Sequence, residues 1–461
     1  MWRLLVVVVI GVVYAQKSEI AYAEAIDQAK ELLKNAVGGT TAPTVIGKVV
    51  EALEEAALAV RTDKSVVLAL VQKDGRALRY ASSDLKNDKE VVLAAVRHDW
   101  RALEYAEIED KEACLAAVRL DGWALRYAHN FREDKEVVIA AVSQRGNALR
   151  YVANALRKDK EVALAAVARD GYALALADYS IKVDRDVVLA AVTQNGWALL
   201  YADPSVRRDK EVVLAAVRQN GWAVWHASDE LKNDKDVVMA AVSQNGLALT
   251  KVGVDQRKDR EVVTAAGTQN GRAFGFARPT LQSDKNFVLT AVRLYGRALQ
   301  YAAGFLRHDK EVVLAAVRQN GRAFEFAYDA LKKDRDFVLE VVEASGWALE
   351  FAPGFSNDKD VVLAAVRRNG EALEHASAEL RKDREVVLAA VSQNGRALEF
   401  APANLKEDKT VVLAAVRQFG PALGFASAAL QTDHAIRRVG NWPSPHLHPS
   451  EVEVATKKPA T

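Results

Sequence analysis

Short apolar blocks alternate with polar punctuation along this chain at an almost constant interval. Take a recurring aspartate as position 0. Equivalents stand at 63, 88, 110, 134, 159, 184, 209, 234, 259, 284, 309, 334, 358, 383 and 408, and eleven of the fourteen intervals are 25 residues, one is 22 and two are 24. The unit that starts at Asp309 reads DKEVVLAAVRQNGRAFEFAYDALKK. Positions 3 to 8 are apolar, as at 312–317, while positions 2, 9 and 10 are polar. That pattern predicts a helix with a wide apolar face, which must be covered by a partner helix and by the units before and after it. The aspartate is a natural N-cap, because its carboxylate accepts from unpaired N–H groups of the first turn and suits the positive helix end. Twelve units add an acid at position 2, such as Glu90, Asp186 and Glu385. A strand reading of VVLAAV, as in leucine-rich repeats of similar length, is disfavoured by the paired alanines and the missing L-x-L-x-x-N signature.

Glycine occupies position 12 in fourteen units, with Trp100 the exception, and a left-handed glycine there is expected to end the first helix. A second, shorter helix should follow, with Ala at position 14 in all fifteen units and Tyr or Phe at position 17 in eleven. The small residue lets helices approach, and the aromatic fills the space between layers. A segment such as 84–87 then returns the chain. The expected fold is all-α: an α-solenoid of fifteen helix-turn-helix repeats of about 25 residues, over 63–432. A stack of that many layers at roughly 9 to 10 Å each would present a surface on the order of 140 Å long.

The phrases D-[KR]-[ED]-V-V-L-A-A-V and Q-N-G-x-A-L-x-[YF]-A resemble the family called domain of unknown function 4116, whose members carry tandem copies of this phrase. The resemblance covers roughly residues 63 to 432, and the family's usual unit spans about two of the repeats defined above. It implies no activity and supplies no catalytic or ligand residues. Trp100, His226, Lys251 and Gly267 depart from the pattern at positions that concern local packing.

The ends read differently. Residues 1–15, MWRLLVVVVIGVVYA, resemble a secretory signal peptide cleaved after Ala15, which points to the secretory pathway or the extracellular space. The apolar run is short against the roughly 20 residues of a membrane span, so an N-terminal membrane anchor is the alternative, and no stable span is expected after cleavage. Residues 16–62 are read as an N-terminal helical cap, with amphipathic stretches at 18–36 and 44–61 around Gly38, Gly39 and Pro43. Residues 433–461, rich in Pro, Ser and charge, are read as a disordered tail. Its His446 and His448 lack the further ligands and rigidity that a metal site needs.

Charge and chemistry narrow the function. The 63 basic and 61 acidic residues are interspersed and leave a net charge of +2, which argues against nucleic acid as a partner. The one cysteine, Cys114, replaces a valine of other units, reads as a small buried hydrophobe, and excludes an intrachain disulfide. No nucleophile with its base, phosphate-binding glycine loop or metal-ligand spacing stands out from the repeat, and the acids recur as caps. Neither enzyme activity nor a cofactor or metal is expected.

Position 13 varies most among candidate surface positions. It holds Trp123, Tyr172, Trp197, Trp222 and Trp347 together with Arg76, Arg101, Arg272, Arg297, Arg322 and Arg396, a mixture typical of protein-binding hot spots. The bland alternative is that each ring or arginine stem covers the edge of the next layer. Gln and Asn at positions 10 and 11 form a second row, fit either to bind peptide backbone or to cap helix ends. At position 16 the sign changes, from Arg79, Arg126 and Arg150 to Glu325, Glu350, Glu374 and Glu399. Lys or Arg follows every capping Asp, unfavourable near a helix N-terminus, so a charge ladder to acids of the neighbouring layer is expected. The expected function is a non-catalytic binding or scaffold protein for protein or peptide partners; the alternative is a self-associating structural or surface-layer protein.

Overall fold

The computed structural model describes residues 61–107 and 109–440. The signal-peptide reading, nearly all of the N-terminal cap and His446 and His448 lie outside the described residues. The chain divides into two compact units, residues 1–231 and 232–461. Each is built from the same layer, and no strand occurs among the described residues.

A layer begins with a ten-residue α-helix, for example Lys64–Lys73 or Arg185–Gln194 in the first unit and Lys310–Gln319 or Lys409–Gln418 in the second. The recurring aspartate caps it as expected: Asp309 accepts from the backbone N–H of Glu311 and Val312 at 3.0 and 3.3 Å. Positions 3, 4, 7 and 8 form the core. Val312, Val313, Ala316 and Val317 are fully buried, each valine contributing on the order of 1.5 kcal/mol or more by leaving water. Positions 5 and 6, also apolar, are half-buried, so the buried face is narrower than the apolar run. Consecutive long helices pack against each other within each unit.

The helix ends for a different reason from the one its glycine suggests. Position 11 turns extended, as at Asn195 (φ −149°, ψ 110°), and its side chain accepts from the N–H of position 13 to start a second helix. Asn before Gly is therefore an N-cap of the second helix rather than C-terminal capping chemistry. The glycine does not adopt a left-handed conformation. Position 12 must be glycine because the layers meet there: a Cβ on Gly196 would lie 2.4 Å from the carbonyl oxygen of Ala216 in the next layer, and one on Gly370 would lie 2.3 Å from that of Ala390. Where Trp100 replaces it, the indole is half-buried and lies 6.3 Å from the Tyr127 ring of the next layer.

The second helix is a 3-10 helix of five or six residues, Gly196–Tyr201 being typical, with positions 14 and 15 fully buried (Ala198, Leu199). The return segment is itself helical in most layers. It forms one α-turn, as in Tyr179–Lys182, or a 3-10 turn, as in Val206–Arg208, and buries one apolar residue such as Ile181 or Val206. A cation near its end folds back onto the carbonyls that close the 3-10 helix: Arg207 donates to Leu200 and Ala202, Lys332 to Glu325, and Lys406 to Glu399. The basic side chains thus satisfy acceptors that a short helix leaves open.

The array does not stop at Thr432, as the sequence pattern suggested. Asp433 caps a further helix, His434–Val439, accepting from Ala435 and Ile436, and Ile436 is fully buried. Residues 433–440 therefore form a partial sixteenth layer and do not belong to a disordered tail.

Candidate binding face

Three ladders link successive layers, and they decide which polar side chains remain for other work. In the first, the cation at position 1 reaches the capping aspartate of the next layer. In the first unit Lys64, Lys89, Lys111, Lys135, Lys160 and Arg185 meet Asp88, Asp110, Asp134, Asp159, Asp184 and Asp209 at 2.8–3.1 Å. Several add the acid at position 2, as Lys64 does with Glu90 at 2.9 Å. The second unit repeats this from Lys235 to Asp259 through Lys409 to Asp433. At Asp88 and Asp159, for example, Oδ1 serves the cap's own helix and Oδ2 faces the preceding layer. The Lys64 amine beside Asp88 holds that carboxyl below the usual carboxylate range, and Lys359 does the same to Asp383. The expected charge ladder is present, and it offsets the unfavourable placement of a cation at a helix N-terminus.

The second ladder uses the amides. The Oε1 of Gln194, Gln219, Gln269, Gln319, Gln393 and Gln418 accepts from the glycine N–H of the preceding layer at 2.5–2.6 Å. The glutamine row is thereby committed to internal hydrogen bonds. A third ladder joins return segments through backbone, as from the Asp178 N–H to the Arg157 carbonyl at 3.2 Å. The amide row was visible in the sequence; its direction across layers was not, since it depends on how closely the glycines let the layers approach.

The position-13 side chains stay outside these ladders and at the surface. In the first unit Trp123, Trp197 and Trp222 are half-buried and Tyr172 is 44% exposed. In the second unit Arg272 and Arg322 are exposed, Trp347 is 36% exposed, and Arg297 and Arg396 are half-buried. Several of these residues lean on an adjacent layer of their own unit. Trp123 sits edge-on to Tyr151 at 5.9 Å, Tyr172 to Tyr201 at 6.1 Å, and Trp197 lies 5.5 Å from His226. Arg297 stacks over Phe326 at 5.4 Å and Arg322 over Trp347 at 5.8 Å, while Arg396 faces Glu371 at 3.9 Å. The rows are thus partly layer-edge packing and partly open surface. Tyr172, Trp197 and Trp222 stand on consecutive layers of the first unit, and Arg272, Arg297, Arg322 and Trp347 on consecutive layers of the second. Asn147 interrupts the first row after Trp123, and Glu371 separates Arg396 from the second.

Sequence reasoning missed two contributors to this face, Leu200 and Trp225 at position 16, which are 40% and 50% exposed. Position 16 had drawn attention only for its charge, although large apolar residues at a position otherwise held by charged, polar or small ones were a signal in themselves. Cys114 is buried in its layer, with its thiol pushed up to about 12 by burial, the Asp110 and Glu109 carboxylates adding to the effect. That places it among packing residues. Among the described residues no group of three or more His, Cys, Asp or Glu is placed to hold a metal ion, and no helix is long and apolar enough to cross a membrane.

Comparison with curated proteins finds no match. A family model does match, in seven tandem copies over residues 63–109, 110–157, 159–207, 209–255, 284–332, 334–381 and 383–431, each spanning two layers. The layer of Asp259, which carries Gly267 in place of the usual valine, falls between copies. With the matched segments covering well over half of the sequence, the chain belongs to the family described as domain of unknown function (DUF4116).

Proposed function

We propose that this protein is a non-catalytic binding or scaffold protein that engages protein or peptide partners through the 3-10 helix face of its layers. The observation that carries this reading is the position-13 rows: aromatic and arginine side chains, the types that dominate protein-binding hot spots, held partly exposed on consecutive layers within each unit. The ring contacts that Trp123, Tyr172, Trp197, Arg297 and Arg322 make with the next layer restrict their rotamers, which lowers the entropy lost on binding. The capping carboxylates, the cations that follow them and the glutamines named above are already engaged in capping and in joining layers, which leaves this face as a variable part of the molecule.

The test is affinity capture with the full chain beside a variant carrying Trp197→Ala, Trp222→Ala and Trp347→Ala, followed by direct titration of any captured protein. Binding to the unmutated chain and at least about tenfold weaker binding to the variant is expected, with both giving the same far-ultraviolet circular dichroism. Equal affinity for the two chains would reduce these tryptophans to layer-edge packing and overturn the assignment of the face.

A further inference from the structure

Position 16 lies beside the position-13 row on the same helix, one side chain per layer, and its chemistry differs between the two units. In the first unit it runs Arg79, Glu104, Arg126, Arg150, Ala175, Leu200, Trp225; in the second, Thr250, Gly275, Gln300, Glu325, Glu350, Glu374, Glu399. Arg79, Arg126 and Arg150 are exposed. Each guanidinium lies over a ring, of Tyr80 at 4.7 Å, Tyr127 at 4.8 Å and Trp123 at 5.8 Å, and among the described residues none of the three is ion-paired with a carboxylate. The ring orders the guanidinium without neutralising it. The one acid of that stretch, Glu104, lies near the Tyr127 hydroxyl, which burial first and then this carboxylate push up from its ordinary value. In the second unit Glu374 and Glu399 are exposed and outside any ion pair among the described residues, while Glu325 and Glu350 approach Arg297 and Arg322 only to 3.8 Å.

We propose that the first unit of one copy docks on the second unit of another copy of this chain, position-16 row against position-16 row, in antiparallel register. This deepens the binding reading by naming a second copy as one partner, and it rests on that reading only in using the same face. The spacing of the two rows matches because one repeat builds both. Antiparallel register sets Arg79 opposite Glu399, Arg126 opposite Glu350 and Arg150 opposite Glu325. It also sets the exposed Trp225 and Leu200 opposite the small Thr250 and Gly275, so that bulk meets space. Glu104 and Glu374 form the single like-charged pair. A parallel register that matches the same charges places Ala175 against Gly424, the last layer of the row, and leaves Leu200 and Trp225 with nothing opposite. Exposed ion pairs of this kind are individually weak and screened by salt, so the contact is of modest affinity and favours the correct register by penalising like charges.

Sedimentation velocity over a concentration series, at about 0.05 M and about 0.5 M salt, tests this with three proteins: the unmutated chain, Arg79→Glu/Arg126→Glu/Arg150→Glu, and Glu325→Arg/Glu350→Arg/Glu399→Arg. The unmutated chain should associate at low salt and dissociate at high salt. Each reversed chain alone should associate at least about tenfold more weakly, and an equimolar mixture of the two should recover association, because each then offers the sign that the other lacks. Circular dichroism verifies that the substituted surface positions leave the fold intact. A chain that stays monomeric at low salt, reversed chains that associate like the original, or a mixture that fails to recover would each overturn the proposal. The position-13 tryptophans are untouched in all three proteins, so such a failure leaves the capture experiment above standing on its own.

Discussion

Gly296 and Gly304 stand eight residues apart in one layer and separate the two uses of glycine in this molecule. A Cβ on Gly296 would fall 2.5 Å from the Ala316 carbonyl oxygen and 2.8 Å from Oε1 of Gln319, whereas a Cβ on Gly304 would meet nothing within 4 Å. Gly296→Ala should therefore destabilise by about 1–3 kcal/mol as the two layers are forced apart, and Gly304→Ala should be neutral or slightly stabilising. Equilibrium urea denaturation of both variants measures this. A Gly296→Asn variant adds the discriminating case, because asparagine tolerates a left-handed backbone but is larger than alanine. If it were better tolerated than Gly296→Ala, backbone conformation rather than layer contact would be the reason for the glycine.

The long helix owes its start, its layer contacts and its response to pH to one residue type. At Asp88, Asp134, Asp159, Asp209 and Asp383 the neighbouring cation of the preceding layer, with desolvation opposing and backbone N–H donors adding, lowers the carboxyl below its usual value. A group whose folded pKa is depressed contributes stability that is present above its unfolded value, roughly 3.9, and is lost as pH falls through the folded value. The partner lysines, such as Lys64 and Lys135, are raised by those same carboxylates, so their contribution holds below about 10.4 and is lost above it. The thermal midpoint should be flat between these limits, fall steeply below about pH 4, and fall again on the alkaline side. A decline that begins near pH 6 in thermal scans would assign acid sensitivity to histidine and not to the caps.

At this scale the helices and their caps were legible because each depends on a local rule: an acid before an apolar run, or an alanine in every unit. The charge ladder was legible because Lys after the cap was unfavourable unless something answered it. What escaped were features set by contact between layers. The glycine at position 12 looked like a chain-reversing residue because its steric neighbour lies a full repeat away, and Asn195 looked like the end of one helix because its acceptor role toward Trp197 belongs to the next. The position-13 residues stand out as variable in the sequence, but the half-buried state of Trp123, Trp197 and Arg297 depends on Tyr151, His226 and Phe326 in following layers.

Because consecutive layers within each unit are joined by cation-to-cap bridges, with the amide and return-segment ladders added at many of these junctions, stability is set by adjacent pairs, and damage should remain local. The C-terminal edge of the second unit offers the cleanest test. Lys409 bridges to Asp433 at 2.8 Å, Gly420 approaches the Gly440 carbonyl, and Ile436 is completely covered. Ending the chain after Gln431 removes the cap, the bridge and about 1.5–3 kcal/mol of isoleucine burial, and it uncovers the Lys409–Gln418 helix. Amide hydrogen exchange should then accelerate sharply in Lys409–Gln418, less in Arg384–Gln393, and not at all in Lys285–Leu294. Uniform acceleration through the whole unit would mean that it unfolds as one cooperative block, and the layer-by-layer account of its stability would fail. Confinement to the edge would show that residues 433–440 act as the covering layer of the array, and that a face presented by inner layers keeps its geometry when the end is lost.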